Sequence, residues 1–137
     1  MVVDDAAMMR SIIADLARRA GYEVVASCAN GQDALAKLRA ADPHIVLLDL
    51  EMPVMDGLTF LRHARLLTRA RIVVLSSVVE LGSARAREAR RLGADAVVAK
   101  PSGSVSLDLV ATAGDQLTAT LRRVAPATTG ASCLPTI

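Results

Sequence analysis

Aromatic residues are almost missing from this chain. Tyr22 and Phe60 are its only two, and there is no tryptophan among its 137 residues. Any core must therefore be built from Val, Leu, Ile, Ala and Met, which the 53% hydrophobic fraction supplies in quantity. Cysteine is scarce as well. Cys28 falls in a strand-like run and Cys133 near a loose end, so no disulfide framework is expected, and the pair fits a reducing, cytoplasmic setting. The net charge of +2 is too small to imply nucleic acid as a partner. No stretch approaches about 18 apolar residues, so no membrane span is expected. Acid at residue 4, with no basic or long apolar segment before it, excludes a signal-peptide reading. The two histidines, His44 and His63, have no ligand partner at metal spacing and read as surface or loop residues.

What the chain does have is short aliphatic runs, each ending in a polar residue. Met1-Val2-Val3 leads to Asp4-Asp5, Ile45-Val46-Leu47-Leu48 to Asp49, Ile72-Val73-Val74-Leu75 to Ser76, and Ala96-Val97-Val98-Ala99 to Lys100. A continuous aliphatic run is the pattern of a parallel strand buried on both faces. Ligands of open α/β sheets bind at the carboxyl ends of such strands. Side by side, these runs would gather three carboxylates, a hydroxyl and an ammonium at one sheet edge.

Between the runs the periodicity turns helical. Met9, Ile12, Ile13, Leu16 and Ala20 keep helical spacing, with Gly21 as a stop. Glu23 to Cys28 reads as a further strand. Asn30 is a candidate N-cap for a helix carrying Ala34, Leu35 and Leu38, which Asp42-Pro43 ends. Helices are also predicted over 58–67, with Leu58, Leu61 and at least one of Ala64, Leu66 and Leu67 inward, over 83–92, and from within 106–115 to about Val124. Five strands alternating with five helices pack most naturally as a parallel sheet with helices on both faces. A domain over 1–124 is expected, followed by a linker or disordered tail over 125–137, where two prolines, three threonines and a glycine fall.

The chemistry of the gathered groups is arguable on its own. Clustered carboxylates repel one another and call for a cation. A hard, oxygen-rich site with few protein ligands suits Mg²⁺, or Mn²⁺, shared with a phosphate. Taken singly, Asp4-Asp5 could be a solvated helix start, Asp49 a turn residue, Ser76 a strand-end hydroxyl and Lys100 a surface charge. Their order, one per strand-helix unit, is what argues for a site.

The stretches Val-Val-Asp-Asp at 2–5, Leu-Leu-Asp-Leu-Glu-Met-Pro-Val-Met-Asp-Gly at 47–57 and Ala-Lys-Pro at 99–101 resemble response-regulator receiver domains over nearly the whole chain. The resemblance implies a flavodoxin-like doubly wound five-stranded sheet of order 2-1-3-4-5, for which the chemotaxis receiver is itself the standard example. It implies that Asp5 and Asp49 ligate the metal, that Asp4 supports it, and that the backbone carbonyl of Glu51 adds an oxygen. Asp49 would be the phosphoacceptor, forming an aspartyl phosphate, with Ser76 and Lys100 binding phosphate oxygens. A cis bond before Pro101 is implied too. A sensor histidine kinase is the implied phosphodonor.

The segment 100–109, the order Asp49-Leu50-Glu51-Met52-Pro53, and Ser76-Ser77 ahead of Gly82-Ser83 resemble the regulatory domain of chemotaxis protein-glutamate methylesterases. No hydrolase motif is present, so this chain is expected to be regulatory and not itself an enzyme. Its output or methylesterase domain would meet the helix 83–92, the strand 96–99 and the last helix. The arginines at 85, 87, 90 and 91 read first as a solvated face, with Glu88 three residues from both Arg85 and Arg91, and second as a dock for an acidic partner. Met8, Met9, Met52 and Met55 read as core or rim packing. Two departures stand out. Val97 occupies a switch position where receivers commonly carry an aromatic. The first aliphatic run is also short for a central strand, where each buried aliphatic contributes roughly 1.5–3 kcal/mol. Two other readings compete: an aspartyl-phosphate phosphatase of the haloacid-dehalogenase kind, which Asp49-Leu50-Glu51 loosely mimics, and a receiver-like docking module that is never phosphorylated.

Overall fold

The computed structural model of the chain describes residues 1–77, 80–101, 107–125 and 135–137. Strands β1 (Val2–Val3), β2 (Ser27–Cys28), β3 (Ile45–Asp49), β4 (Arg71–Ser76) and β5 (Ala96–Ala99) alternate with helices α1 (Ala7–Arg19), α2 (Gly31–Ala41), α3 (Gly57–Leu67), α4 (Ala84–Arg91) and α5 (Leu107–Val124). All strand pairs are parallel, in the order β2-β1-β3-β4-β5. The expected topology is therefore the observed one.

The aliphatic runs are continuous because both faces of the sheet are covered. Along β3 and β4 the side chains alternate. Ile45, Leu47, Val73 and Leu75 pack with Ile13, Ala17, Leu117 and Leu121 of α1 and α5. Val46, Leu48, Ile72 and Val74 pack with Leu38, Phe60, Leu61 and Ala89 of α2, α3 and α4. The only two aromatics take one side each: Phe60 belongs to the α2–α4 side and Tyr22 to the α1–α5 side.

Local signals place the helix starts. Asn30 caps α2 by accepting the Asp33 N–H at 2.8 Å, Asp56 caps α3 through Thr59 N–H at 2.8 Å, and Ser83 caps α4 through Ala86 N–H at 3.1 Å. On α3, Phe60, Leu61 and Ala64 are buried, whereas Leu66 and Leu67 are exposed.

Two expectations need correction. β2 covers Ser27–Cys28 and not the whole of 23–28. β1 is too short to reach the earlier residues, and the C-terminal tripeptide pairs with them instead. Glu23 N–H donates to Pro135 O, Ile137 N–H to Glu23 O, and Val25 N–H to Ile137 O at 2.8 Å. On its other side Thr136 O accepts from His44 and Ile45, both at 3.1 Å. Residues 135–137 are thus no frayed end. Ile137 is fully buried in the α1–α5 core, and its backbone pairs with Glu23 and Val25. The remainder of the expected tail, 126–134 with Cys133, lies outside the described residues.

Candidate functional site

Parallel register carries the carboxyl ends of the strands to one edge. Val3 lies opposite Leu48, Asp49 opposite Leu75, and Ser76 opposite Ala99. Asp4 and Asp5 follow β1, Asp49 and Ser76 close β3 and β4, and Lys100 follows β5. The Lys100 N–H donates to Ser76 O at 2.8 Å and so extends the ladder by one bond.

The loop after β3 is pressed against the sheet. A Cβ added at Gly57 would lie 2.2 Å from Asp49 O and 2.7 Å from Leu50 Cα, so only glycine lets α3 begin there. Gly57 N–H donates to Leu50 O at 3.0 Å. Arg85 reaches across from α4, with Nη2 at 3.2 Å from Leu50 O and 3.5 Å from Asp56 Oδ2. Its expected partner Glu88 pairs instead with Arg91 at 2.7 Å and Arg62 at 3.4 Å. Gly57, Asp56 and Arg85 are structural supports of this loop, a role the sequence reading gave neither to the Asp56-Gly57 end of the 47–57 motif nor to Arg85, which it placed on a solvated face. The Asp-Gly pair ahead of a helical period was the available signal for the first two; for Arg85 there was none.

Asp4, Asp5 and Asp49 each offer a carboxylate oxygen within 4.8 Å of the others. Asp4 is wholly buried, Asp49 is 4% exposed and Asp5 is open to solvent. The Lys100 ammonium stands 2.8 Å from Asp4 Oδ2 and 2.9 Å from Asp49 Oδ2. Backbone N–H groups hold the other oxygens: Ala6 donates to Asp4 Oδ1 at 2.9 Å and Glu51 to Asp49 Oδ1 at 3.2 Å. Asp4 Oδ2 is buried without a hydrogen bond of acceptable angle, so its contact with Lys100 is one of charge alone.

Lys100 therefore pairs with two of the three carboxylates, Asp4 and Asp49, while Arg10 reaches only the backbone carbonyls of Asp4 and Asp5. Burial pushes the Asp49 carboxyl above its ordinary value; the bond and charge of Lys100 and the Glu51 N–H pull it back only in part, and Asp4 adds a further push. Burial pulls Lys100 down, but its close pairing with Asp4 and Asp49 outweighs that, and it stays more basic than usual.

Asp5, Asp49, Glu51, Ser77, Glu80 and Lys100 line an open basin of ≈ 580 Å³. An under-neutralised set of hard oxygen donors with one buried oxygen lacking a hydrogen bond fits a divalent cation. Asp4, Asp5 and Asp49 are the residues that would hold it. Ser76 closes β4 at the same edge, but its hydroxyl donates to Glu80 Oε2 at 3.4 Å. Val97 is half-buried on β5, away from the basin, where it lines a separate hollow with Leu81, Ala99, Ala119 and Thr120. No cis peptide bond occurs among the described residues, so the expected cis bond before Pro101 is replaced by a trans one. Trans is the ordinary state of the bond, and the Lys100 side chain is aimed by the β4–β5 ladder and two carboxylates without it.

His44 and His63 are exposed, as expected. His44 Nδ1 is 2.9 Å from Thr136 Oγ1, and His63 Nδ1 is 2.8 Å from Thr59 O. Met9, Met52 and Met55 are half-buried against the two cores, and Met8 is exposed.

A family model described as the response regulator receiver domain matches residues 1–112. The protein-glutamate methylesterase/protein-glutamine glutaminase 1 of Syntrophomonas wolfei is 40% identical over 111 residues, which is 80% of this chain and 32% of that protein. The corresponding protein of Halalkalibacterium halodurans is 41% identical over 110 residues, again 80% and 32%. The chain thus spans about a third of the length of these curated relatives. Among solved structures, the response regulator domain of Thermotoga maritima CheB superposes with a TM-score of 0.79 at 31% identity, over 90% of this chain and 92% of that one. A chain from the complex of the P1 domain of CheA3 with CheY6 of R. sphaeroides gives a TM-score of 0.73 at 55% identity, over 90% and 93%.

Proposed function

We infer function from one premise: the chain belongs to the response regulator receiver family. It is a regulatory module, similar to the receiver domains of chemotaxis methylesterases. On that basis it acts as a phosphoacceptor switch. Asp49 takes a phosphoryl group from the phosphohistidine of a sensor kinase, and the aspartyl phosphate alters a surface that an output domain reads.

The observation that carries this reading is the charge imbalance at the sheet edge, three clustered carboxylates of which Lys100 pairs with two, with Asp49 facing an open basin. Asp49 presents Oδ2 beside Lys100 while Oδ1 stays tied to the Glu51 N–H, which orients the carboxylate for attack. A carboxylate oxygen attacks phosphorus, the bond from phosphorus to the donor nitrogen breaks, and the imidazole leaves. Lys100 then neutralises a phosphoryl oxygen. A bound divalent cation, Mg²⁺ or Mn²⁺, would supply charge neutralisation for the transferred group. Asp4, Asp5, Asp49 and the Glu51 carbonyl are its proposed ligands. The proposed output face is α4, β5 and α5, because Ser76 leads toward α4 and Lys100 ends β5. In a methylesterase this face would meet the catalytic domain. A structure of the CheA3 P1 domain with CheY6 supports a kinase of that type as the donor. The proposed domain spans 1–124 and works in the cytoplasm; no helix among the described residues is long and apolar enough to cross a membrane.

Incubation with acetyl phosphate and Mg²⁺, followed by intact mass, tests the reading. One adduct of about 80 Da per chain, lost in Asp49→Asn, is expected for acyl-phosphate chemistry. An adduct that survives Asp49→Asn sinks the assignment, and many turnovers per chain would favour a phosphatase.

A further inference from the structure

We propose that Glu80 is a positioning residue that holds the Ser76 hydroxyl in the unmodified chain and gives it up when Asp49 carries a phosphoryl group. The proposal rests on the phosphoacceptor reading above and adds a competitor to it.

Ser77 Oγ donates to Glu80 Oε2 at 3.0 Å, and Ser76 Oγ donates to the same oxygen at 3.4 Å. Glu80 also lines the basin shared by Asp49 and Lys100. Glu80 therefore borders the basin that a phosphoryl group on Asp49 would enter, and one of its oxygens already engages the hydroxyl assigned to a phosphoryl oxygen. A hydroxyl carries one proton and donates to one anion at a time. A phosphoryl group replaces the single charge of the Asp49 carboxylate by about two and places acceptor oxygens in the same basin, so Glu80 is both outcompeted and repelled.

The Ser76 contact is long for O–H···O, while the Ser77 contact is near normal. Ser77 is thus the anchor and Ser76 the part that lets go. Arg85 gives the displaced carboxylate somewhere to turn, for it already lies 3.9 Å from Glu51 and 3.5 Å from Asp56 on the facing loop. Backbone bonds tie Glu80 into the approach to α4: its N–H donates to Ser77 O at 3.0 Å, and its carbonyl accepts from Ser83, the α4 cap, at 2.9 Å. Loss of the Ser76 contact is therefore felt at the start of α4, which belongs to the proposed output face. A two-state element needs an interaction made in one state only, and this contact is one.

Five chains test the proposal: the natural one, Glu80→Ala, Glu80→Gln, Ser76→Ala and the Glu80→Ala/Ser76→Ala double variant. In the unmodified protein, without Mg²⁺ or any phosphoryl analogue, Glu80→Ala should shift the Ser76 amide resonance, while Glu80→Gln, which keeps an acceptor, should shift it less. An unmoved Ser76 resonance in Glu80→Ala overturns the proposal whatever becomes of the switch reading. Calorimetric titration with beryllofluoride in Mg²⁺ should then show about three- to tenfold tighter binding in Glu80→Ala, the scale of one modest hydrogen bond. In the Ser76→Ala background that gain should largely vanish, because the two residues act through one contact. A full gain without the hydroxyl means that Glu80 acts by charge alone, and no gain at all means that it does not compete; either result overturns the proposal. If no chain binds beryllofluoride or gains a phosphoryl adduct, the switch reading fails, and the resonance measurement still decides whether Glu80 holds Ser76.

Discussion

Asp49 and Asp95 stand at opposite ends of the sheet, each close to cationic side chains, with opposite outcomes. Asp95 precedes β5 and meets Arg65 at 2.8 Å, Arg71 at 3.1 Å and the Ile72 N–H at 2.8 Å. Burial pushes its carboxyl up, but the Ile72 N–H and the two guanidiniums outweigh that and hold it below the ordinary range. At Asp49 the count is reversed, with one ammonium shared by two buried acids, and burial wins. Surplus cation makes a structural clamp across α3, β4 and β5. Surplus acid makes a site that a cation and a phosphoryl group would complete. The sign of the imbalance separates the two roles better than the presence of an ion pair.

The largest expected contrast is in phosphoryl uptake. Asp49→Asn should abolish it, and Asp95→Asn should leave it near the natural level, read by intact mass after acetyl phosphate treatment. Loss of uptake in a folded Asp95→Asn would erase the distinction between the two clusters.

Stability should move in opposite directions under the same substitution. Asp95→Asn removes a carboxylate from two guanidiniums and should cost roughly 1–3 kcal/mol in urea unfolding. Asp49→Asn relieves a buried, crowded charge while Lys100 keeps Asp4, and should raise stability by about 1 kcal/mol. Destabilisation of both variants would mean that Asp49 is also a structural clamp.

The pH dependence should differ likewise. The folded-state pKa of Asp95 lies below its ordinary 3.8, so its contribution is present above 3.8 and is lost as pH falls from there through the folded value. The folded-state pKa of Asp49 lies above 3.8. Its ionisation therefore weakens the fold as pH rises from 3.8 through the folded value. Asp95→Asn should flatten the stability profile below 3.8 and Asp49→Asn above it, as read by unfolding midpoints across acid pH.

The smallest effect lies within the clamp. The Arg71 side chain is 59% exposed and that of Arg65 is 25% exposed. Arg71→Ala should cost at most about 0.5 kcal/mol, as exposed pairs do. Arg65→Ala should cost more, since Arg65 also donates to the carbonyls of Ala70 and Gly93. Equal losses would place the clamp's strength in long-range charge and not in contact.

How much of this was legible beforehand depended on the range of the physics. Strand and helix periods are local, and the aliphatic runs, the cap at Asn30 and the stop at Gly21 acted where they stand. The site acids were legible because parallel strands must align their carboxyl ends, so a polar residue closing each run lands at a common edge. The partner of Arg85 was not legible. Glu88 satisfied the helical spacing rule, but α4 turns Arg85 toward Leu50 and Asp56, residues 29 or more positions away in the chain. The pairing of 135–137 with Glu23 and Val25 was hidden for the same reason, since its composition reads as a linker.

By itself the sequence determined the alternating architecture, which groups would meet at the sheet edge, and the family, because each follows from period, order and motif along the chain. Only the tertiary structure decided which carboxylate Lys100 balances, that Glu80 takes the Ser76 hydroxyl, that Arg85 fastens the loop after β3, and that Ile137 completes a core. Those outcomes depend on distances of about 3 Å between residues far apart in the chain, where burial and hydrogen-bond geometry select one partner among several of suitable charge.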